Sequence, residues 1–336
     1  MEGRLLATAA HVRALVEAHT SGDDARFRAA LGELIDQAGR KGDRAREVEE
    51  LRRLLDVRRA AVRPPAPPRP APPSSVAQPR GELARVLTVA LPSVGLADLA
   101  LSSDVMARLH RVLTEQRHAE TLRERGFQPL RKLLLTGQPG TGKSMTAEVL
   151  ATELGLPLFT VRLETIADLT AQDAVARLSL VFDLIAQSRG VCLFDDVDVL
   201  LGAEGQPGST RPGDVLRAFA GFLEADESVS VLVVTTHRPQ LLDRPVLRRF
   251  DTVVDYPLPS TGVVQEVVLR RLRGLDLRAV DWPRVASTAS GLSHEQVSAA
   301  AALAAKQSIL DGAPQVETAA LLAALRERRQ MLKMAP

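Results

Sequence analysis

A single cysteine (Cys192), a single tryptophan and a single tyrosine are spread over 336 residues. One thiol forms no internal disulfide and no Cys-based metal site, which fits a reducing compartment. Aromatic residues make up only 3% of the chain, so a core must come mostly from Leu, Val and Ala. No basic stripe with interleaved aromatics offers a platform for nucleic acid. The formal net charge is +2 despite a pI near 9.0, and the basic run "RRLLDVRR" (52–59) lies among carboxylates at helical spacing, as a solvated face does. No apolar run approaches the ~20 residues needed to cross a bilayer. "MEGRLLATAAHVR" lacks the basic and apolar regions of a secretion signal. The expectation is a soluble cytoplasmic protein with neither membrane nor nucleic acid as partner.

What is present divides the chain. Residues 1–60 read as short helices broken at Gly22 and Gly42, with Val48, Leu51, Leu54 and Leu55 on one helical face. Such a small region buries little surface alone and is expected to bind a partner or to self-associate. Residues 61–82 contain the run "AVRPPAPPRPAPPSSVAQPR", in which eight of twenty residues are proline; this composition favours an extended, semi-rigid spacer. From 83 to 260 apolar runs at 133–136, 157–161, 191–194, 231–235 and 252–256 alternate with helix-length segments. That pattern predicts an α/β domain with a mostly parallel sheet covered on both faces. Residues 261–336 are helical in pattern and predict a small all-helical domain.

The stretch "LLLTGQPGTGKSMTAEVL" (133–150) carries the first chemistry. It fits G-x-x-x-x-G-K-[ST] between a strand and a helix. In such a turn successive amides point at phosphate oxygens, and the helix adds its positive end. The predicted nucleotide-binding residues are Gly137, Gln138, Pro139, Gly140, Thr141, Gly142, Lys143, Ser144 and Met145. Lys143 reaches the β- and γ-phosphates and Ser144 ligates Mg²⁺. In "VCLFDDVDVL" (191–200) an apolar strand delivers Asp195 and Asp196 to the sheet's C-terminal edge. Asp195 is expected to hold Mg²⁺ through water, and Asp196 to orient and deprotonate the attacking water.

The passage "VLVVTTHRPQLLDRPVLRRFDTVVDYPLP" (231–259), taken with those two motifs and the helical tail, resembles the AAA-family (AAA+) ATPases over about residues 85–330. Stand-alone bacterial members with a short helical N-terminal region are the most similar. The resemblance implies a P-loop sheet of order 5-1-4-3-2, a C-terminal helical lid and assembly into rings, usually hexamers, with ATP at the seam. His237 matches the polar sensor position beside the γ-phosphate. Arg248 and Arg249 match the arginine finger offered to a neighbour's nucleotide. "SGLSHEQV" (290–297) matches the start of the lid helix bordering the adenine, which brings in His294; Ser293 and Gln296 there also form a capping-box pattern.

Three departures from the family pattern shape the functional expectation. Asp196 stands where the family has Glu, and a carboxylate set back by about 1.5 Å can cost ~10² in rate. His237 replaces the sensor Asn, which makes pH-dependent turnover an expectation. Thr170, Ala171 and Gln172 occupy the places from which relatives present an aromatic pore grip. The reading is a slow, Mg²⁺-dependent, ring-forming ATPase that remodels or regulates a protein substrate or partner enzyme, as a homo-oligomer or within a mixed ring. The alternative is a nucleotide-gated assembly module that hydrolyses little.

Overall fold

The computed structural model describes residue 79 and residues 81–201, 213–312 and 315–334, all within one compact unit, Arg69–Pro336. The helices expected over 1–60, and the spacer over 61–82 apart from residues 79, 81 and 82, lie outside the described residues.

Six strands form one sheet: β1 (Leu87–Ala90), β2 (Lys132–Gly137), β3 (Leu158–Val161), β4 (Val191–Phe194), β5 (Val231–Thr236) and β6 (Thr252–Tyr256). They lie in the order β1-β3-β4-β5-β2-β6. All neighbours pair in parallel except β1, which runs antiparallel to β3 with Leu87 opposite Val161. Numbered among themselves, the five parallel strands have the order 5-1-4-3-2 implied by the resemblance. The antiparallel edge strand is an addition that the sequence pattern did not reveal.

Both faces of the sheet are buried, so its central strands are apolar throughout rather than alternating. Leu134, Phe159, Phe194, Leu232 and Val234 point to one face. Leu133, Leu135, Leu193, Val231 and Val233 point to the other. The first face is covered by helices at Ala171–Gln187 and Asp214–Ala225. There the chain concentrates its few aromatics: Phe182 stacks on Phe194 at 5.5 Å and on Phe222 at 5.3 Å between ring centroids. Helices Ser103–Arg117 and Lys143–Leu154 cover the opposite face.

Thr170 caps the Ala171–Gln187 helix, its Oγ1 accepting from the Asp173 N–H at 3.3 Å. Thr170, Ala171 and Gln172 therefore open a helix rather than extend the loop before it.

Beyond β6 the helices Thr261–Arg271, Trp282–Ala289, His294–Leu310 and Thr318–Met334 enclose a separate core. Ala300, Ala301, Ala304 and Ala305 line the buried side of the third of these. Side chains this small let the neighbouring helices approach closely.

Candidate functional site

Strand β2 ends at Gly137 and the chain turns back on itself before the helix that begins at Lys143. Three glycines make that turn possible. Gly137, Gly140 and Gly142 have φ of 137°, 73° and 101°, where a side chain is strained. Space is equally tight: a Cβ on Gly137 would lie 2.4 Å from the Tyr256 carbonyl oxygen, and one on Gly140 would lie 2.6 Å from Ser293 Oγ. The turn is closed by Thr141, fully buried, whose hydroxyl donates to the Gln138 carbonyl at 2.8 Å. Beneath it Thr146 Oγ1 and Tyr256 Oη hydrogen-bond at 2.8 Å and tie the following helix to β6.

Lys143 is 4% exposed. Its ammonium donates to the carbonyls of Gly137 at 2.8 Å and Gln138 at 3.0 Å, and lies 2.9 Å from His237 Nδ1. Burial lowers its pKa from the ordinary lysine value, against the opposing pull of Asp196, Asp195 and Asp198.

The neighbouring strand ends supply the carboxylates. Ser144 Oγ donates to Asp195 Oδ1 at 2.8 Å, and the Thr235 hydroxyl donates to the same oxygen at 2.7 Å. The Asp196 N–H donates to Thr235 Oγ1 at 2.7 Å. Asp196 itself has φ of 53°, the only non-glycine in the left-handed region among the described residues. A non-glycine there persists only where its surroundings over-determine it, and such positions gather at functional sites. His237 Nε2 lies 2.7 Å from Asp196 Oδ1. The His237 backbone is fixed from behind, its N–H donating to Asp198 Oδ2 at 2.7 Å while the Thr236 hydroxyl donates to Asp198 Oδ1 at 2.6 Å.

Part of this cluster borders a cavity of about 610 Å³, large enough for a mononucleotide, while Asp195 lies behind Ser144 and does not line it. Gly140, Lys143, Ser144, Met145, Asp196, His237 and His294 all line it. The lid reaches the turn directly: the Glu295 N–H donates to the Gly140 carbonyl at 3.0 Å. The capping box of that lid helix is formed, with Ser293 N–H on Gln296 Oε1 at 2.8 Å and Gln296 N–H on Ser293 Oγ at 3.4 Å.

Arg248 and Arg249 do not join the cavity. They follow the short helix Arg244–Leu247, where Arg249 pairs with Glu224 at 2.6 Å. Arg248 is exposed, and its guanidinium has no partner among the described residues.

Sequence reasoning missed Thr235, Thr236 and Asp198, which orient the two aspartates and His237. It also missed Leu99, Leu101 and Arg271, which line the cavity from outside every motif. The polar pair in "VVTTH" and the third acid of "DDVD" are the available signals for the first group.

His294 carries a testable consequence. Its Nδ1 is buried without a hydrogen-bond partner, and burial pushes its pKa from 6.5 down to about 4. The unfolded chain therefore binds the proton first. The stability present above pH 6.5 is lost progressively as pH falls toward 4, by roughly 2 kcal/mol after discounting for partial exposure. Urea midpoints at pH 7.5 and 4.5 are expected to differ more for the native chain than for His294→Phe. Equal differences would remove the effect.

Compared with known proteins, residues 133–258 match the family described as "ATPase family associated with various cellular activities (AAA)". An uncharacterized AAA family ATPase, y4kL of Sinorhizobium fredii, is 25% identical over 324 residues, covering 94% of this chain and 95% of its own length. ATP-dependent zinc metalloprotease FtsH 1 of Symbiobacterium thermophilum is 35% identical over 178 residues, 50% of this chain and 30% of that protein. The crystal structure of the FIGL-1 AAA domain superposes with a TM-score of 0.59 at 19% identity, covering 72% of this chain and 86% of that one. That last likeness concerns the fold.

Proposed function

From the premise that this chain carries an AAA domain over residues 133–258, we propose that it is a Mg²⁺-dependent ATPase that assembles as a ring and acts on a protein partner. The observation that carries the reading is the meeting of three separate segments around one cavity. The turn brings Lys143 and Ser144, β4 brings Asp195 and Asp196, and β5 brings His237, all linked by contacts of 2.7–2.9 Å.

Each residue then has a task suited to its chemistry. The turn amides and Lys143 hold the β- and γ-phosphates. Ser144 Oγ and Asp195 Oδ1, 2.8 Å apart, are hard oxygen donors of the kind Mg²⁺ accepts. Mg²⁺ held there supplies charge neutralisation at the phosphate oxygens. Asp196 takes the proton from the attacking water, and His237 aims it. His294, on the lid, borders the base. Turnover is slow, because Asp196 is a short carboxylate set back from the attacking water.

Arg248, exposed and without a partner among the described residues, supports action in trans on a neighbouring subunit's nucleotide, and with it a ring. The helix begun at Thr170 supports remodelling or regulation without an aromatic pore grip, in a homo-oligomer or a mixed ring. We assign capture of the partner to residues 1–60 and the setting to the cytoplasm.

ATP turnover of the purified chain at rising protein concentration tests the reading. Turnover per subunit is expected to climb with concentration, since each site borrows an arginine. Tight ATP binding with no turnover at any concentration would replace the enzyme by a nucleotide-gated scaffold.

A further inference from the structure

Asp196 and His237 follow the ends of different strands, β4 and β5, yet they form one chain of contacts with Lys143. His237 Nδ1 lies 2.9 Å from Lys143 Nζ and 3.2 Å from the Gly137 carbonyl oxygen; an ammonium group only donates hydrogen bonds, so the shorter contact makes Nδ1 an acceptor and leaves the longer one without a proton to share. The proton of the neutral ring is therefore on Nε2, which donates to Asp196 Oδ1 at 2.7 Å. The ring thus bridges a cation and a carboxylate. All three protons of Nζ are committed, to Gly137 O, Gln138 O and the ring. To grip a phosphate, Lys143 must surrender at least one of them.

The ring is also the part free to give way. The His237 main chain is held by Asp198, and Asp196 is fixed in its left-handed conformation by Thr235. The bridge can open by rotation of the imidazole without moving either strand.

We propose that His237 is a positioning residue that makes hydrolysis wait for phosphate: the nucleotide's terminal phosphates compete with the imidazole for Lys143 Nζ, and only their success leaves the ring with Asp196 as its one remaining partner, free to aim that carboxylate at the attacking water. The inference rests on the ATPase reading of the same cavity. It gives His237 opposite effects on two quantities. The ring opposes nucleotide binding, because binding breaks its bond to Lys143. It supports turnover, because it aims Asp196.

His237→Leu removes both contacts. Its affinity for ATP, measured by calorimetry in EDTA on the full-length chain, is expected to rise about tenfold, as suits the loss of one hydrogen bond to a charged group. Its single-turnover rate with Mg²⁺ is expected to fall by at least about tenfold. His237→Gln presents an acceptor oxygen toward Lys143 and a donor nitrogen toward Asp196, and is expected to restore both values to near those of the native chain. A merely structural His237 would make both quantities worse in His237→Leu, and unchanged or weakened affinity there overturns the inference. So does His237→Gln behaving like His237→Leu. Should His237→Leu fail to fold, shown by loss of its thermal transition, His237→Gln and His237→Asn carry the test. Asn is one methylene too short to span both partners, so it must bind ATP more tightly and turn over more slowly than Gln; equal behaviour overturns the inference. Failure of the ATPase reading has a different signature: native single turnover no faster than that of Lys143→Ala.

Discussion

Arg248→Ala is expected to lower ATP turnover by roughly 10³–10⁵-fold while leaving ATP affinity unchanged, which is the range an arginine finger supplies to phosphoryl transfer. Arg248 lies outside the cavity of its own chain, exposed and without a partner among the described residues, so a nucleotide it serves is expected to belong to another subunit. Mixing gives the sharpest check. A chain with Arg248→Ala keeps its phosphate turn, and one with Lys143→Ala keeps its finger. Each alone is expected to be inactive, and the mixture to regain measurable turnover. A mixture as silent as its parts would show that Arg248 does not act between subunits. Arg249→Ala is expected to do less, because its ion pair with Glu224 is only 33% and 56% exposed at the two side chains and surface pairs of this kind contribute little.

The second large effect belongs to Lys143. Removing a buried, hydrogen-bonded cation from a phosphate site costs on the order of 10²–10³ in affinity. Lys143→Ala is therefore expected to bind ATP that much more weakly, by calorimetry, and to show no turnover above background. Lys143→Arg is not expected to rescue it, since a planar guanidinium does not reproduce the point-charge contacts that Nζ makes with two carbonyls. ATP affinity within tenfold of the native chain would mean that the phosphates are held elsewhere.

Much of this arrangement was readable in advance, for physical reasons that differ by region. Strands β2 to β5 announce themselves because burial on both faces demands apolar runs, while the edge strand β6 shows instead through β-branched residues that alternate buried and exposed. The phosphate turn is contiguous in sequence, and its glycines have no substitute in the backbone conformations they adopt. The edge strand β1 escaped notice because "LTVA" is short, precedes Pro92 and has an exposed last residue. The lid helix Trp282–Ala289 carries a Pro near its start and too few turns to show a period. The pairing of Asp196 with His237 was hidden more deeply. Each was visible as an unusual residue, and each suggested a weakened site when taken singly. That the shorter carboxylate and the longer ring meet depends on two strand ends lying side by side and on side-chain reach, which no local pattern records. Asp198 was hidden likewise, since its partners lie on the next strand.

One main-chain bond, from Glu295 N–H to the Gly140 carbonyl, gives the lid a mechanical role. Gly140 sits in the turn between β2 and the helix begun at Lys143, and Glu295 lies in the first turn of the lid helix His294–Leu310. A displacement of this turn is expected to pass through the bond to a helix of 17 residues, about 25 Å long at 1.5 Å per residue. A rigid lever pushed at one end moves most at the other, where Ile309 and Leu310 stand 61% and 81% exposed.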